Sequence, residues 1–204
     1  MNALSDKKSL LKKTLEVGGN TFLSRMLGLT REILLMRYLG VGILADAFTT
    51  AFMLPNSLRK IFAEGALTAA FVPTFITIFK KEGKDQANKL TTLSFLVFES
   101  ILVLFCMLVM YKAQGTVQFI TPGYSPEQVA ATVPLLRILM PFIFFISTSA
   151  LLSGALQSVN HFFVPAFGPV LLNVFFIGGI IACLKGAYPP AYLCWVIMAG
   201  GAFQ

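Results

Sequence analysis

Arg25, Arg31 and Glu32 lie in a stretch, Thr14 to Leu39, that is long and apolar enough to approach a membrane span. Arg59, Lys60 and Glu64 lie in a second such stretch, Leu44 to Phe79, with Asp46 near its start. An arginine at the centre of a membrane helix costs about 2.5–3.5 kcal/mol even on permissive insertion scales. Several of them turned to lipid would exceed a typical folding stability of about 5–15 kcal/mol. These side chains must therefore face a protein interior or a wet cavity. A guanidinium keeps its charge and matches phosphate or carboxylate with paired N–H donors. Arg25, Arg31 and Arg59 are thus candidates for binding an anionic substrate. Glu32, Asp46 and Glu64 are candidate counter-ions, pairing with the arginines until substrate phosphate displaces them. The alternative for the same residues is a set of buried ion pairs that fix helix register.

Helical geometry refines the pattern. Arg25 and Glu32 are seven residues apart and fall nearly on one face, while Arg31 lies about 120° from Arg25. Pro55 lacks an N–H and pushes Leu54 away from helical geometry, which predicts a break at Leu54, Pro55 and Asn56. A helix restarting at Asn56 would add oriented N–H groups for an anion, with Asn56 and Arg59 at i, i+3. Gly65, Ala66, Ala69 and Ala70 follow as small residues suited to close helix approach. Further along, Ser147, Ser149, Ser153 and Gln157 interrupt an apolar run, and Ser153, Gln157 and Asn160 share one helical face. Two polar stripes and a broken helix predict a hydrophilic central cavity.

The elements that must position these groups are membrane helices. Hydrophobic residues make up 56% of the 204-residue chain and charged residues only 12%, against about 25% charged in soluble domains. That excludes a disordered chain and fits poorly with a soluble enzyme, a DNA-binding domain or a disulfide-stapled module. Beyond the two stretches above, spans are predicted at Leu90 to Tyr111, Val129 to Gln157 and Phe163 to Leu184, with a sixth beginning near Pro190. The fourteen residues from Ala191 to Gln204 are too few for a full crossing, so residues 1–204 are expected to be a transmembrane bundle that ends within its sixth helix, with no soluble domain. Lys7, Lys8, Lys12 and Lys13 precede the first span, and Lys80, Lys81, Lys84 and Lys89 follow the second. The other side is poor in cations, which places the N-terminus in the cytoplasm. The net charge of +7 is then explained by headgroups and topology, with no nucleic acid needed. Gln118 to Tyr124 is expected to be an outer loop with a Pro-Gly turn. No cleavage site marks the N-terminus as a signal peptide.

Other chemistry is sparse. Cys106, Cys183 and Cys194 sit singly in apolar runs, without zinc-site or disulfide spacing. His161 is the only histidine and falls in a predicted loop. Glu99, inside the third span, is either an ion or proton site or a satisfied packing partner. No metal set, nucleophile triad or P-loop is present, so neither an enzyme nor a cofactor is expected.

Ser24-Arg25-Met26-Leu27-Gly28-Leu29-Thr30-Arg31-Glu32 resembles the S-R-x-L-G-x-x-R-[DE] signature of the MurJ/MviN family. Ala45 to Phe48, Leu54 to Ala66, Ala70 to Pro73, Pro165 to Pro169 and Leu171 to Asn173 resemble its further blocks, over nearly the whole chain. The resemblance implies a lipid II flippase of the multidrug/oligosaccharidyl-lipid/polysaccharide exporter superfamily. Such a protein carries undecaprenyl-pyrophosphate-linked peptidoglycan precursor across the bacterial cytoplasmic membrane. It further implies a fold of two helical lobes around a cationic cavity, of which this chain matches the first. Carried over residue by residue, the charged positions it implies are Arg25, Arg31, Glu32, Asp46, Arg59 and Glu64. Implied partners are lipid II, membrane lipids and cell-wall synthesis proteins, with transport coupled to the membrane potential or an ion gradient. A related exporter of another polyprenyl-linked glycan or a drug, and a non-transporting membrane scaffold, are the alternatives.

Overall fold

The computed structural model of the protein describes residues 2–64 and 66–204, with side chains described for 18–61 and 69–204. The described residues form nine α-helices and no strand. They are α1 (Asn2–Leu39), α2 (Ile43–Glu64), α3 (Ala66–Glu82), α4 (Lys84–Tyr111), α5 (Ala113–Ile120), α6 (Pro126–Leu139), α7 (Phe142–Ser158), α8 (Phe163–Gly186) and α9 (Pro190–Phe203). Three helical stretches have the length and apolarity to cross a bilayer: α4, α6 continued by α7, and α8. The six expected spans correspond to α1, α2 with α3, α4, α6 with α7, α8 and α9.

The expected break at Pro55 is corrected. The helix runs unbroken through Pro55, which lies buried inside α2. Proline deletes one backbone bond, but in a membrane helix packed neighbours hold the adjoining turns in place. Pro73 in α3 and Pro169 in α8 are accommodated in the same way. Asn56 is consequently mid-helix, not a helix start. Two smaller expectations also change. Part of the expected outer loop is helical, as α5, and Asn160 stands beyond the end of α7 with a left-handed φ of 64°.

α1 packs along α8, α2 along α6 and α7, and α8 along α9. The core centres on Phe48, Phe52, Phe142 and Phe176, whose rings meet at centroid separations of 5.7–6.3 Å. Ile146, Ile180, Leu193 and Ile197 close around them. Polar side chains elsewhere are satisfied locally: the hydroxyls of Thr30, Thr74, Thr77 and Thr91 each donate to the carbonyl four residues back. This is how short polar residues persist where water is absent. The cysteines are free and buried.

α8 and α9 approach closely because α9 carries Gly200 and Gly201. A Cβ on Gly200 would lie 2.7 Å from Phe175 Cβ, an atom fixed to the α8 backbone. Gly200→Val is therefore expected to force the helices apart and cost about 1–3 kcal/mol. Thermal unfolding in detergent checks this, and an unchanged midpoint would contradict the packing.

Candidate functional site

The hollow at the centre of the bundle is built from α1, α2, α7 and α8. A cavity of about 210 Å³ is lined by Ser24, Arg31, Asn56, Arg59 and Asn173, with Phe52, Phe142, Pro169, Leu172 and Gln204 completing its walls. A neighbouring cavity of about 240 Å³ shares Arg31, Phe52 and Asn56 and adds Glu32, Thr49 and Phe176. On the other side, one of about 170 Å³ shares Arg59, Pro169 and Gln204 and adds Ser149, Ser153 and Gln157. The three form one run of polar space from Glu32 past both arginines to Gln157.

Arg31 is its most constrained member. Its Nη1 donates to Asn173 Oδ1 at 3.3 Å, and its Nη2 donates to Glu32 Oε1, making an ion pair. Its guanidinium carbon stands 5.0 Å from the centre of the Phe176 ring, a cation–π arrangement. Its Nε is buried and has no hydrogen-bond partner. Arg31 is 22% exposed and Glu32 54%, so the carboxylate is the more accessible half of the pair. On α2, Arg59 Nε donates to Asn56 Oδ1 at 3.2 Å, one turn away.

The structure thus brings Arg31, Asn56 and Arg59 together around one cavity, with Glu32 lining the adjoining one. Arg25 is exposed and is not among the residues lining the three cavities. Asp46 is exposed at the first turn of α2, where its Oδ2 accepts from Gln128 Nε2 at 3.0 Å. Glu64's side chain lies outside the described residues. Glu99 faces α7 and accepts a 3.1 Å hydrogen bond from Thr148 Oγ1. Among the described residues, no three His, Cys, Asp or Glu side chains cluster as a metal would need.

Two groups of residues escaped the sequence. Asn173 and Phe176, one helical turn apart on α8, hold Arg31. A lone asparagine in so apolar a helix was the available signal. The second group ties α2 to α6. Tyr124 Oη shares a 2.6 Å hydrogen bond with Thr50 Oγ1 and donates to the Asp46 carbonyl, while Ser125 and Gln128 form a reciprocal helix cap. The Ser-x-x-Gln spacing announces such a cap. Asp46→Ala removes Gln128's second anchor, and Ser125→Ala removes the cap itself, at a cost of about 0.5–2 kcal/mol. Both are expected to speed amide exchange in the first turn of α6, read by mass spectrometry.

The chain matches the family model described as "Lipid II flippase MurJ" over residues 35–204. It is 37% identical over 203 residues to the "Probable lipid II flippase MurJ" of Rhizobium tropici, covering 96% of this chain and 38% of that protein. It is 36% identical over 199 residues to the "Lipid II flippase MurJ" of Burkholderia cenocepacia, covering 96% and 39%. The chain therefore spans about two fifths of the length of these curated relatives. Among solved structures, it superposes on a lipid II flippase MurJ in an inward closed conformation with a TM-score of 0.79 at 29% identity, covering 92% of this chain and 39% of that one. An outward-facing MATE family transporter of the MOP superfamily shares the fold, with a TM-score of 0.74 at 12% identity over 94% of this chain and 42% of that one.

Proposed function

The chain belongs to the lipid II flippase MurJ family, and from that premise we propose that it forms one helical bundle of a transporter, not an enzyme. The cargo is undecaprenyl-pyrophosphate-linked peptidoglycan precursor, moved from the inner to the outer leaflet of the bacterial cytoplasmic membrane. The observation that carries this reading is the pair of guanidiniums, Arg31 and Arg59, lining one hollow inside an apolar bundle. A pyrophosphate is the chemistry that two such groups match, each through paired donors. Glu32 neutralises Arg31 in the empty site and yields to the incoming anion. The amides and hydroxyls of Gln157, Ser153 and Ser149 extend the same hollow with uncharged partners suited to the glycan.

Access alternates when this bundle rocks against a second one around the bound headgroup. The lysines at the ends of α1 and α3 support a cytoplasmic N-terminus. The membrane potential, worth about 2.3 kcal/mol per charge per 100 mV, or an ion gradient drives the cycle. Membrane lipids surround the protein, and cell-wall synthesis proteins are its functional neighbours. An exporter of cationic drugs shares the scaffold, but the guanidiniums oppose such a cargo.

Arg31→Ala and Arg59→Ala, each in the chain reconstituted in nanodiscs, are expected to weaken lipid II binding at least about tenfold. Arg→Lys at either position should recover only part of the loss, because an ammonium lacks the paired edge. Wild-type affinity in both alanine variants would overturn the proposal.

A further inference from the structure

We propose that Asn173, backed by Phe176, is the positioning residue that presents one particular edge of Arg31 to the anion. This role rests on the anion-binding hollow proposed above. A planar guanidinium offers a two-donor edge formed by Nε–H and one N–H of Nη2, with Nη1 in the same plane but off that edge. In this structure that edge is half used. Glu32 reaches Nη2 with a single oxygen, Oε1, while Nε is buried without a partner. Nη1, the donor outside that edge, is the one taken by Asn173. Phe176 lies against the guanidinium and limits tilt of its plane. Nε is the donor of that edge with no protein partner, and a ligand would reach it only as Glu32 gives way at Nη2. A phosphate oxyanion spanning Nε and Nη2 would gain the donor that Glu32 leaves unpaired.

The orientation of Asn173 is fixed from its other end. Its Nδ2 donates to the Ser24 carbonyl at 3.2 Å and lies 3.4 Å from the Ser24 hydroxyl. A flipped amide would set two donors, Nδ2 and Nη1, against each other and two oxygens against each other at Ser24. Ser24 and Arg31 stand seven residues apart, two turns of one face of α1. One buried amide, 7% exposed, therefore sets both the register of α1 on α8 and the aim of the guanidinium. It does so without charge. A carboxylate at the same place would clasp Arg31 and compete with the cargo, whereas an amide oxygen leaves the positive charge for the ligand.

The test measures binding of undecaprenyl pyrophosphate and undecaprenyl monophosphate to the chain in nanodiscs. Arg31→Ala, Asn173→Ala, Asn173→Asp and Phe176→Leu are compared with the wild type. Arg31→Ala should lose the preference for pyrophosphate. Asn173→Ala should weaken pyrophosphate binding about tenfold, the loss of one hydrogen bond to a charged group, the near-isosteric Asn173→Asp should weaken it at least as far by clasping Arg31 with a competing charge, and both should bring the two affinities together. Phe176→Leu should lose severalfold. The ratio of the two affinities is the decisive quantity, since loosened packing alone would lower both alike. If Arg31→Ala abolishes the preference while Asn173→Asp and Phe176→Leu keep it, the positioning role is wrong and the hollow stands. If Arg31→Ala itself changes nothing, the hollow is not the anion site.

Discussion

A guanidinium enclosed by apolar helices must be held without being permanently neutralised, and the arrangement around Arg31 follows from that constraint. Its charge cannot be removed by deprotonation, so the fold supplies partners. A permanent clasp of carboxylates would satisfy the charge but abolish any attraction for an anion. The partners are instead graded: an aromatic face, a neutral amide oxygen and one half-exposed carboxylate. The first two belong to α8 and move only with the helix. The third is the more exposed side chain and can leave alone.

The rest of the bundle keeps that arrangement in place. Asn173 aims Arg31 only because α8 lies along α1, and α8 is held from its other flank by α9. Gly200 lets α9 close on Phe175 of α8, and Gly201 lets it close on Phe142 of α7. At the end of α1, Tyr38 Oη donates to the carbonyl of Tyr188, in the connection between α8 and α9, at 2.6 Å. Arg59 reaches the same hollow from α2, which packs on α6 and α7 and carries Phe52 into the wall between the arginines. Helix packing and the polar site are thus one construction, since the aromatic rings that form the core also line the cavity.

Much of this was legible in the sequence because membrane helices obey simple rules. Apolar length located the helices to within a few residues at most ends, and the cost of burying arginine pointed Arg31 and Arg59 to a cavity. The serine and glutamine stripe of α7 was placed correctly because its period is local. What failed depended on tertiary context. Pro55 reads as a breaker when only its missing N–H is considered, yet a helix clamped on both sides tolerates the loss. Arg25 and Arg31 are equivalent by composition, but only the facing helix decides that one meets Asn173 and the other is exposed. Asn173 itself is unremarked by periodicity, since its importance lies in a residue 142 positions away.

Glu32 and Asp46 show why residue type alone does not assign a role. Both are acids in charged motifs at the head of the chain, and both are exposed. Glu32 stands beside a guanidinium whose other donors are committed or hidden, so its departure changes the charge of the hollow. Asp46 stands in the first turn of α2, where the helix dipole favours a negative group, and its recorded side-chain partner is an amide. From Asp46 to Arg59 is thirteen helical positions, about 20 Å at 1.5 Å per residue. At that distance the Asp46 carboxylate cannot pair with the Arg59 guanidinium while α2 remains a continuous helix. Its electrostatic work is done at the end of the bundle, where it fastens α2 to α6. The continuity of α2 through Pro55 is what separates the two tasks: a helix folded back at that proline could have brought acid and base together, and the unbroken one holds the fastening apart from the hollow.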